Sequence, residues 1–494
     1  SQISISHEVS PLMKLVSRGD TTVVDAYLTP ILRRYIDSVA SQLPGVKLMF
    51  MKSDGGLVDA QQFQGKDSIL SGPAGGIVGA VQTSLRGGFD SIITFDMGGT
   101  STDVAHFNGE YERQLENEIA GARMRVPVLA IHTIAAGGGS ILSFDGSSYR
   151  VGPESAGSNP GPACYRRGGK LAVTDANVML GKIHPQYFPA VFGKDGNLPL
   201  DKDVANEKFI QLAKEIETAT GNHRTPEQVA AGFISIAVES MANAIKKISL
   251  QRGYDVTNYA LCCFGGAGAQ VACLIADTLG MKIFLHPYAG VLSAYGMGLA
   301  DVRAIKEAGV EEGLNDGLLE ELQGLMEGLG NQAKRELETK INVEEEIVRK
   351  VNLKYEGTNS ILGISFDLDN LDVGMMREEF EREHKLRYGF VQVDKNLIVE
   401  SVSVEVIQKM DTPEEALITR SRGLDEFPNP VETVQMFTHD KWYSAPIYRR
   451  EDLQPGDVIQ GAAIIVEKIS TIVIEPNWEA ELTERNHLQL SVRS

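Results

Sequence analysis

Cysteine is scarce in this chain. There are four, Cys164, Cys262, Cys263 and Cys273, two of them adjacent and none in a C-x-x-C pair. That excludes a disulfide scaffold and a zinc ribbon, and fits a reducing, cytoplasmic setting. The nine histidines are scattered, with no H-E-x-x-H among them. Basic residues are outnumbered, 47 against 66 acidic, for a net charge of -19. Such a chain repels nucleic-acid backbones, so no nucleic-acid partner is expected. No uninterrupted apolar run reaches the roughly eighteen residues of a spanning helix, so no membrane partner is expected either. The opening SQISISHEVS lacks a basic start followed by an apolar core, and is not a signal peptide. No G-x-x-x-x-G-K-[ST] and no G-x-S-x-G occurs, which excludes a P-loop and a hydrolase nucleophile elbow.

What is present is average for a globular chain: 43% hydrophobic and 23% charged residues in 494. That length suggests about three domains. Glycine divides the sequence. From Gly55 to Gly181 it comes in runs, at 55–56, 75–76, 87–88, 98–99, 137–139 and 168–169, with one more pair at 265–266. Runs of this kind mark tight turns and close approaches of backbone to backbone or to a ligand.

Apolar spacing predicts a helix over Val23–Leu43, with a kink or break at Pro30, then a buried strand over Val46–Met51. Ser71-Gly72-Pro73 opens a small-residue helix, whose glycines allow close packing or ligand access to its N-terminus. Strands are expected at Ser91–Phe95, Val104–Phe107, Ala130–Thr133 and Tyr259–Phe264. A helix capped by Thr225 runs to Gln251-Arg252-Gly253, and another spans Ala269–Leu279. This alternation argues an α/β fold. A helix over Asn315–Lys340 marks a boundary. Beyond it, alternating stretches at Ile347–Phe366 and Ile398–Gln408 flank a short helix, Met375–His384, and a strand-like tail starts at Pro428. The reading is a first domain over 1–310 and a smaller α+β, β-rich module over 311–494.

The sharpest chemical signal is Phe95-Asp96-Met97-Gly98-Gly99-Thr100-Ser101-Thr102-Asp103. A hydrophobic strand delivers an aspartate into a glycine turn lined with hydroxyls, and a second aspartate closes it. Gly98 and Gly99 expose amides to an anion, Thr100, Ser101 and Thr102 add hydroxyl donors, and Asp96 or Asp103 can hold Mg²⁺ through water. An ordinary β-hairpin with a Gly-Gly turn is the alternative. Gly265-Gly266-Ala267-Gly268 follows a strand and opens a helix, and Gly137-Gly138-Gly139 precedes Ser140. The first reads equally as a ligand contact or as close helix–strand packing, the second equally as a ligand contact or as a flexible turn between strands. Residues 151–165 are too rich in glycine and proline to be regular. Cys164 there reads as a structural thiol, with a reactive thiol as the alternative. Thr174-Asp175-Ala176-Asn177 reads as a site turn or a plain helix cap. His106 and His132 read as ordinary core or surface histidines.

Taken in order, SDGGL (53–57), LSGPAGG (70–76), FDMGGTSTDV (95–104), AAGGGS (135–140), VGPESAG (151–157), NPGPACYRRGG (159–169), TDAN (174–177) and CFGGAGAQ (263–270) resemble the hydantoinase A/5-oxoprolinase family. LKYEGTNSIL (353–362), GF (389–390) and IIVEKISTIVIEPNWEAELT (464–483) are similar to its oxoprolinase branch. The resemblance implies an actin-like ATPase core of the sugar kinase/acetate kinase type. It also implies ATP and Mg²⁺ as cofactors and an ATP-driven opening of a cyclic amide such as 5-oxoproline. Asp96 and Asp103 would be catalytic and metal-holding residues. Gly98 to Thr102 and Gly137 to Gly139 would lie on the phosphates, and Gly265, Gly266 and Gly268 toward the adenosine. It implies an oligomer and a hydantoinase B-type partner, as a subunit or fused domain. N-methylhydantoinase, a ketone carboxylase subunit and a nucleotide-binding scaffold without catalysis are the alternatives. Family members carry an earlier Asp-Gly-Gly-Thr loop, which this chain lacks, and it starts at Ser1. It is therefore expected to be a central piece of a longer protein.

Overall fold

The computed structural model describes every residue except 1, 2, 13, 120, 251, 338–343, 368–371, 424, 425 and 494. Its central sheet has eight strands, in the order 458–460, 478–482, 488–492, 282–285, 260–264, 91–97, 102–108 and 132–134. The strand Ala260–Phe264 is buried along its whole length and pairs in parallel with Ser91–Met97 on one side and Lys282–Leu285 on the other. A strand paired and covered on both faces needs an unbroken apolar run, and Ala-Leu-Cys-Cys-Phe supplies one. Counted in chain order, the five strands from 91 to 285 lie 3-2-1-4-5 across the sheet.

The helix Pro226–Leu250 packs into the same core, with Val229, Phe233, Ala237, Met241 and Ile245 fully buried. Its start is a capping box. Gln228 N–H donates to Thr225 Oγ1, and Thr225 N–H donates to Gln228 Oε1, each at 3.2 Å. By length and composition the segment Pro226–Ser249 could cross a membrane, although Glu239, Lys246 and Lys247 interrupt its apolar run. Its buried face makes it a core helix here.

Several elements differ from expectation. The first long helix spans Leu15–Gln42 and continues through Pro30 without a break. Tertiary bonds hold it there: Gly65 N–H donates to Thr29 Oγ1 at 2.9 Å, and Lys66 N–H to Asp25 Oδ1 at 3.1 Å. The following strand is only Met49–Met51, and the one expected at 130–133 lies at His132–Ile134. The segment from 269 begins as a 3-10 turn, Gly268–Gln270, and becomes a helix only at Ala272–Leu279. The boundary helix is Asp316–Glu336, capped by Asn315, and its expected last residues 338–340 lie outside the described residues. The expected end of the 226 helix at Gln251 does too.

A second core joins this helix to Val373–Tyr388 and to the strands Glu345–Tyr355, Leu362–Ser365 and Leu397–Gln408, around Leu322, Tyr355, Phe380 and Val402. These strands continue a six-stranded sheet that also holds 49–51, 57–59 and 302–313. The strand Val302–Gly313 runs through residue 310. Residues 432–474 make a separate four-stranded sheet, while 458–460 and 478–492 return to the central one, with Leu490 opposite Ile283.

The small-residue helix Ser71–Arg86 uses its glycines for close packing. A Cβ at Gly75 would lie 2.7 Å from Ser293 O, and one at Gly79 would lie 2.8 Å from Leu292 O, both in or beside the helix Leu292–Met297. Gly72, in the first turn, has open space around it. Gly79→Ala should therefore lower stability by about 1–3 kcal/mol, overpacking outweighing better helix propensity. Gly72→Ala should be neutral or stabilising by up to about 1 kcal/mol. Thermal denaturation of both variants checks this, and equal shifts would refute the close-packing account.

Candidate nucleotide site

The central sheet brings the glycine loops together. Phe264 pairs with Asp96 across the parallel strands, so both strands end side by side and release their turns at one place. Asp96 and Asp103 face each other across the hairpin Ser91–Met97/Thr102–Asn108. They line a narrow crevice with Pro73, Ile77, Thr94, Val104, Ile131 and Phe264. Burial, then the charge of Asp103, pushes the Asp96 carboxyl up to about 6. Asp103 accepts a hydrogen bond from Thr133 Oγ1 at 2.6 Å. Two carboxylates this close favour a cation between or beside them, so the pair fits Mg²⁺ held through water.

The loops are stitched by backbone. The amides of Gly138 and Gly139 donate to Gly98 O and Gly99 O at 3.0 and 2.6 Å, and the Ala267 amide donates to Met97 O at 3.0 Å. A Cβ at Gly137 would sit 2.9 Å from Gly98 O, and one at Gly265, where φ is +81°, would sit 2.5 Å from Asp96 Oδ1. Only glycine permits this spacing and that conformation.

The stitching changes what individual residues can offer. The Gly98 amide closes its own turn onto Ser101 O at 3.1 Å, and Gly137 N–H donates to Ser140 Oγ at 2.8 Å. The Gly265 amide donates to Ala289 O at 3.0 Å. Thr102 is buried, and its hydroxyl donates to Ala136 O at 2.6 Å. The expected anion donors Gly98 and Thr102 are thus engaged within the protein. Gly99, Thr100 and Ser101 form the outward part of the hairpin turn. Gly266 is exposed, whereas Gly268 is buried, with a would-be Cβ 2.8 Å from Cys263 Sγ.

The neighbouring motifs serve as supports. Thr174 Oγ1 donates to Gly138 O at 2.8 Å, so the TDAN turn braces the 137–139 loop. Asp175 accepts from the amides of Ala163, Cys164 and Ala172 at 2.7–3.0 Å and so organises the irregular 151–165 segment. Cys164 beside it is buried, and burial together with Asp175 pushes its thiol far up, as suits a structural cysteine. His106 is buried, stacked on Tyr254 at 4.4 Å and 2.9 Å from Glu112, while His132 is exposed.

A second polar centre escaped the sequence reading. Arg113 donates to both oxygens of Glu405 at 2.9 Å, Arg303 bridges Glu405 and Asp301, and Lys52 pairs with Asp54 at 2.7 Å. Burial alone would raise the Asp54 carboxyl, but Lys52 and Arg113 hold it below the usual range. Asp54 lies in the SDGGL motif and was findable. Glu405, 292 positions from Arg113, carried no local signal.

Residues 18–306 match the family model for hydantoinase/oxoprolinase, and residues 315–492 match that for the hydantoinase/oxoprolinase C-terminal domain. The chain is 40% identical over 506 residues to a 5-oxoprolinase of Dictyostelium discoideum, covering 97% of this chain and 39% of that one. It thus spans about two fifths of the length of such curated relatives. The crystal structure of the ATP-dependent caprolactamase from Pseudomonas jessenii superposes with a TM-score of 0.87 at 27% identity, over 99% of this chain and 72% of that one. An acetone carboxylase structure, at TM-score 0.74 and 21% identity over 99% of this chain and 71% of that one, shares the fold. The architecture is that of an α/β protein with an actin-like core and a β-rich C-terminal region. Within that class, the chain belongs to the hydantoinase/oxoprolinase family.

The Asp96 shift has a measurable sign. Its carboxyl moves from an ordinary 3.8 to about 6 on folding, so ionising it costs stability as pH rises through 6. Below 3.8 it is neutral in both states, and the cost vanishes. Asp96→Asn should therefore stabilise the chain by about 1–3 kcal/mol at pH 8 and by less than about 1 kcal/mol at pH 4, read by urea denaturation. A gain that is the same at both pH values would contradict the assignment.

Proposed function

We propose that this chain is the nucleotide-binding core of an ATP-dependent cyclic-amide hydrolase of the 5-oxoprolinase type. The overall reaction would convert 5-oxo-L-proline, ATP and water to L-glutamate, ADP and phosphate. The observation that carries this reading is the Asp96/Asp103 hairpin clamped by the 137–139 and 265–268 loops, in a chain 40% identical to a 5-oxoprolinase. An unstrained amide is a poor electrophile. Transfer of the γ-phosphoryl group to the amide oxygen, with ADP leaving, makes the ring carbon open to water. The carbon–nitrogen bond then breaks, the nitrogen takes up a proton, and the resulting acyl phosphate hydrolyses to carboxylate and phosphate.

In this reading Gly99, Thr100 and Ser101 face the phosphates, and Gly266 lies toward the adenosine. Asp96 and Asp103 would hold Mg²⁺ through water, and the ion would neutralise charge on the transferring phosphoryl group. Through that ion Asp96 and Asp103 would help to place the transferring group, and the stitched glycine backbone would limit where the phosphates stop. The caprolactamase likeness supports a lactam over a ketone. We assign a hydantoinase B-type partner and an oligomeric assembly to the complete enzyme, on the strength of the family and the partial coverage of its relatives. A cytoplasmic location fits four buried, unpaired thiols. The second reading, a nucleotide-binding scaffold without turnover of its own, draws on the same partial coverage.

Calorimetric titration with Mg²⁺ and a non-hydrolysable ATP analogue, with and without 5-oxoproline, tests the proposal. The folded chain should bind the analogue. Asp96→Ala and Gly265→Ala should each weaken binding at least about tenfold, or about 1.4 kcal/mol. In the complete enzyme Asp96→Ala should abolish ATP-dependent ring opening. Turnover retained by that variant would remove Asp96 from the chemistry. No binding by a folded wild-type chain would refute a working nucleotide site here.

A further inference from the structure

Away from the glycine loops, three distant segments converge on one buried point. His286 follows the strand Lys282–Leu285, Glu415 lies in the irregular strap between Leu397–Gln408 and Glu432–Thr438, and His487 precedes the strand Leu488–Val492. One ligand atom from each falls within 4.8 Å of the other two. His286 Nε2 is 3.4 Å from Glu415 Oε1, and His487 Nε2 is 2.9 Å from Glu415 Oε2. Two ligands bound tetrahedrally at about 2.0–2.1 Å from one ion stand roughly 3.3 Å apart, so these spacings are already close to those of a coordination shell.

A second observation points the same way. Both ring nitrogens of His487 and Glu415 Oε2 are buried without a hydrogen-bond partner. His487 Nε2 and Glu415 Oε2 approach to 2.9 Å, yet not along a hydrogen-bonding direction. Buried polar atoms are rarely left so, and convergent unpartnered donors are what a bound ion satisfies. Arg86 donates to Glu415 Oε1 at 3.5 Å and orients the carboxylate, as an outer partner of a ligand does. Coordination through His286 Nε2 would give up one local bond, from the Tyr288 amide to Nδ1 at 3.1 Å. His487 and Arg86 also line an open cleft of about 880 Å³, so the cluster borders solvent-filled space.

We propose that His286, Glu415 and His487 bind a first-row divalent cation, zinc foremost, as two imidazoles and a carboxylate prefer. The ion would pin the strap around residue 415 to the central sheet, where the strand 282–285 ends and the strand 488–492 begins. This inference is independent of the nucleotide reading. The test uses the full chain, dialysed against chelator and then titrated with Zn²⁺, with metal content and melting temperature as readouts. Wild type should take up one equivalent more than His487→Ala or Glu415→Gln, and should melt higher with Zn²⁺ than without. Uptake by folded wild type no greater than that of the variants would overturn the proposal. Should the variants fail to fold, Co²⁺ titration of wild type decides. Visible absorption of a low-symmetry Co²⁺ site is expected, and its absence would equally overturn the proposal.

Discussion

The parallel pairing of Ala260–Phe264 with Ser91–Met97 is the constraint on which the candidate site depends. Parallel strands end at the same edge of a sheet, and in open α/β sheets that edge is where ligands bind. Here the register places Asp96 beside Phe264, so the aspartate hairpin and the second glycine loop leave the sheet as neighbours. A one-residue slip would turn Asp96 to the other face of the sheet and break the contact between Gly265 and its carboxylate.

Glycine then sets how near the loops can come. The 98–99 turn, the 137–139 loop and the 265–268 loop touch backbone to backbone, and the same economy of side chain lets the helix Ser71–Arg86 lie against Leu292–Met297. The glycine pairs thus serve one purpose in two places, bringing main chain into contact with main chain. In the loops this uses up amides that could have faced an anion, and it leaves the tip of the hairpin, Gly99 to Ser101, as the outward part.

Much of this was legible in the sequence. The strands expected at 91–95 and 259–264 are found at 91–97 and 260–264, because each is a short run of mainly apolar residues that ends at a glycine turn. The cap at Thr225 read from local spacing, and the structure completes it with Gln228. The aspartate hairpin stood out because its residue types are unusual together. Pro30 misled, since the bonds that carry the first helix through it come from Gly65 and Lys66, outside the local window. The internal use of the Thr102 hydroxyl depends on Ala136, more than thirty positions on. The Arg113–Glu405 pair and the His286–Glu415–His487 cluster lie further apart still. Local patterns carry strands, caps and turns; side chains meeting across hundreds of residues leave no trace in them.

The last strands have a consequence for how the chain is made. The strand Lys282–Leu285 closes its outer side only by pairing with residues 488–490, about two hundred positions later. On a ribosome adding roughly 5–20 residues per second, that edge stays unpaired for about 10–40 s. An open edge strand is a template for any other extended chain. The nascent protein therefore passes through a period in which its central sheet still lacks three of its eight strands and Lys282–Leu285 is an open edge. Any chaperone or partner that shields this side during synthesis would act on yield, long before it could act on activity.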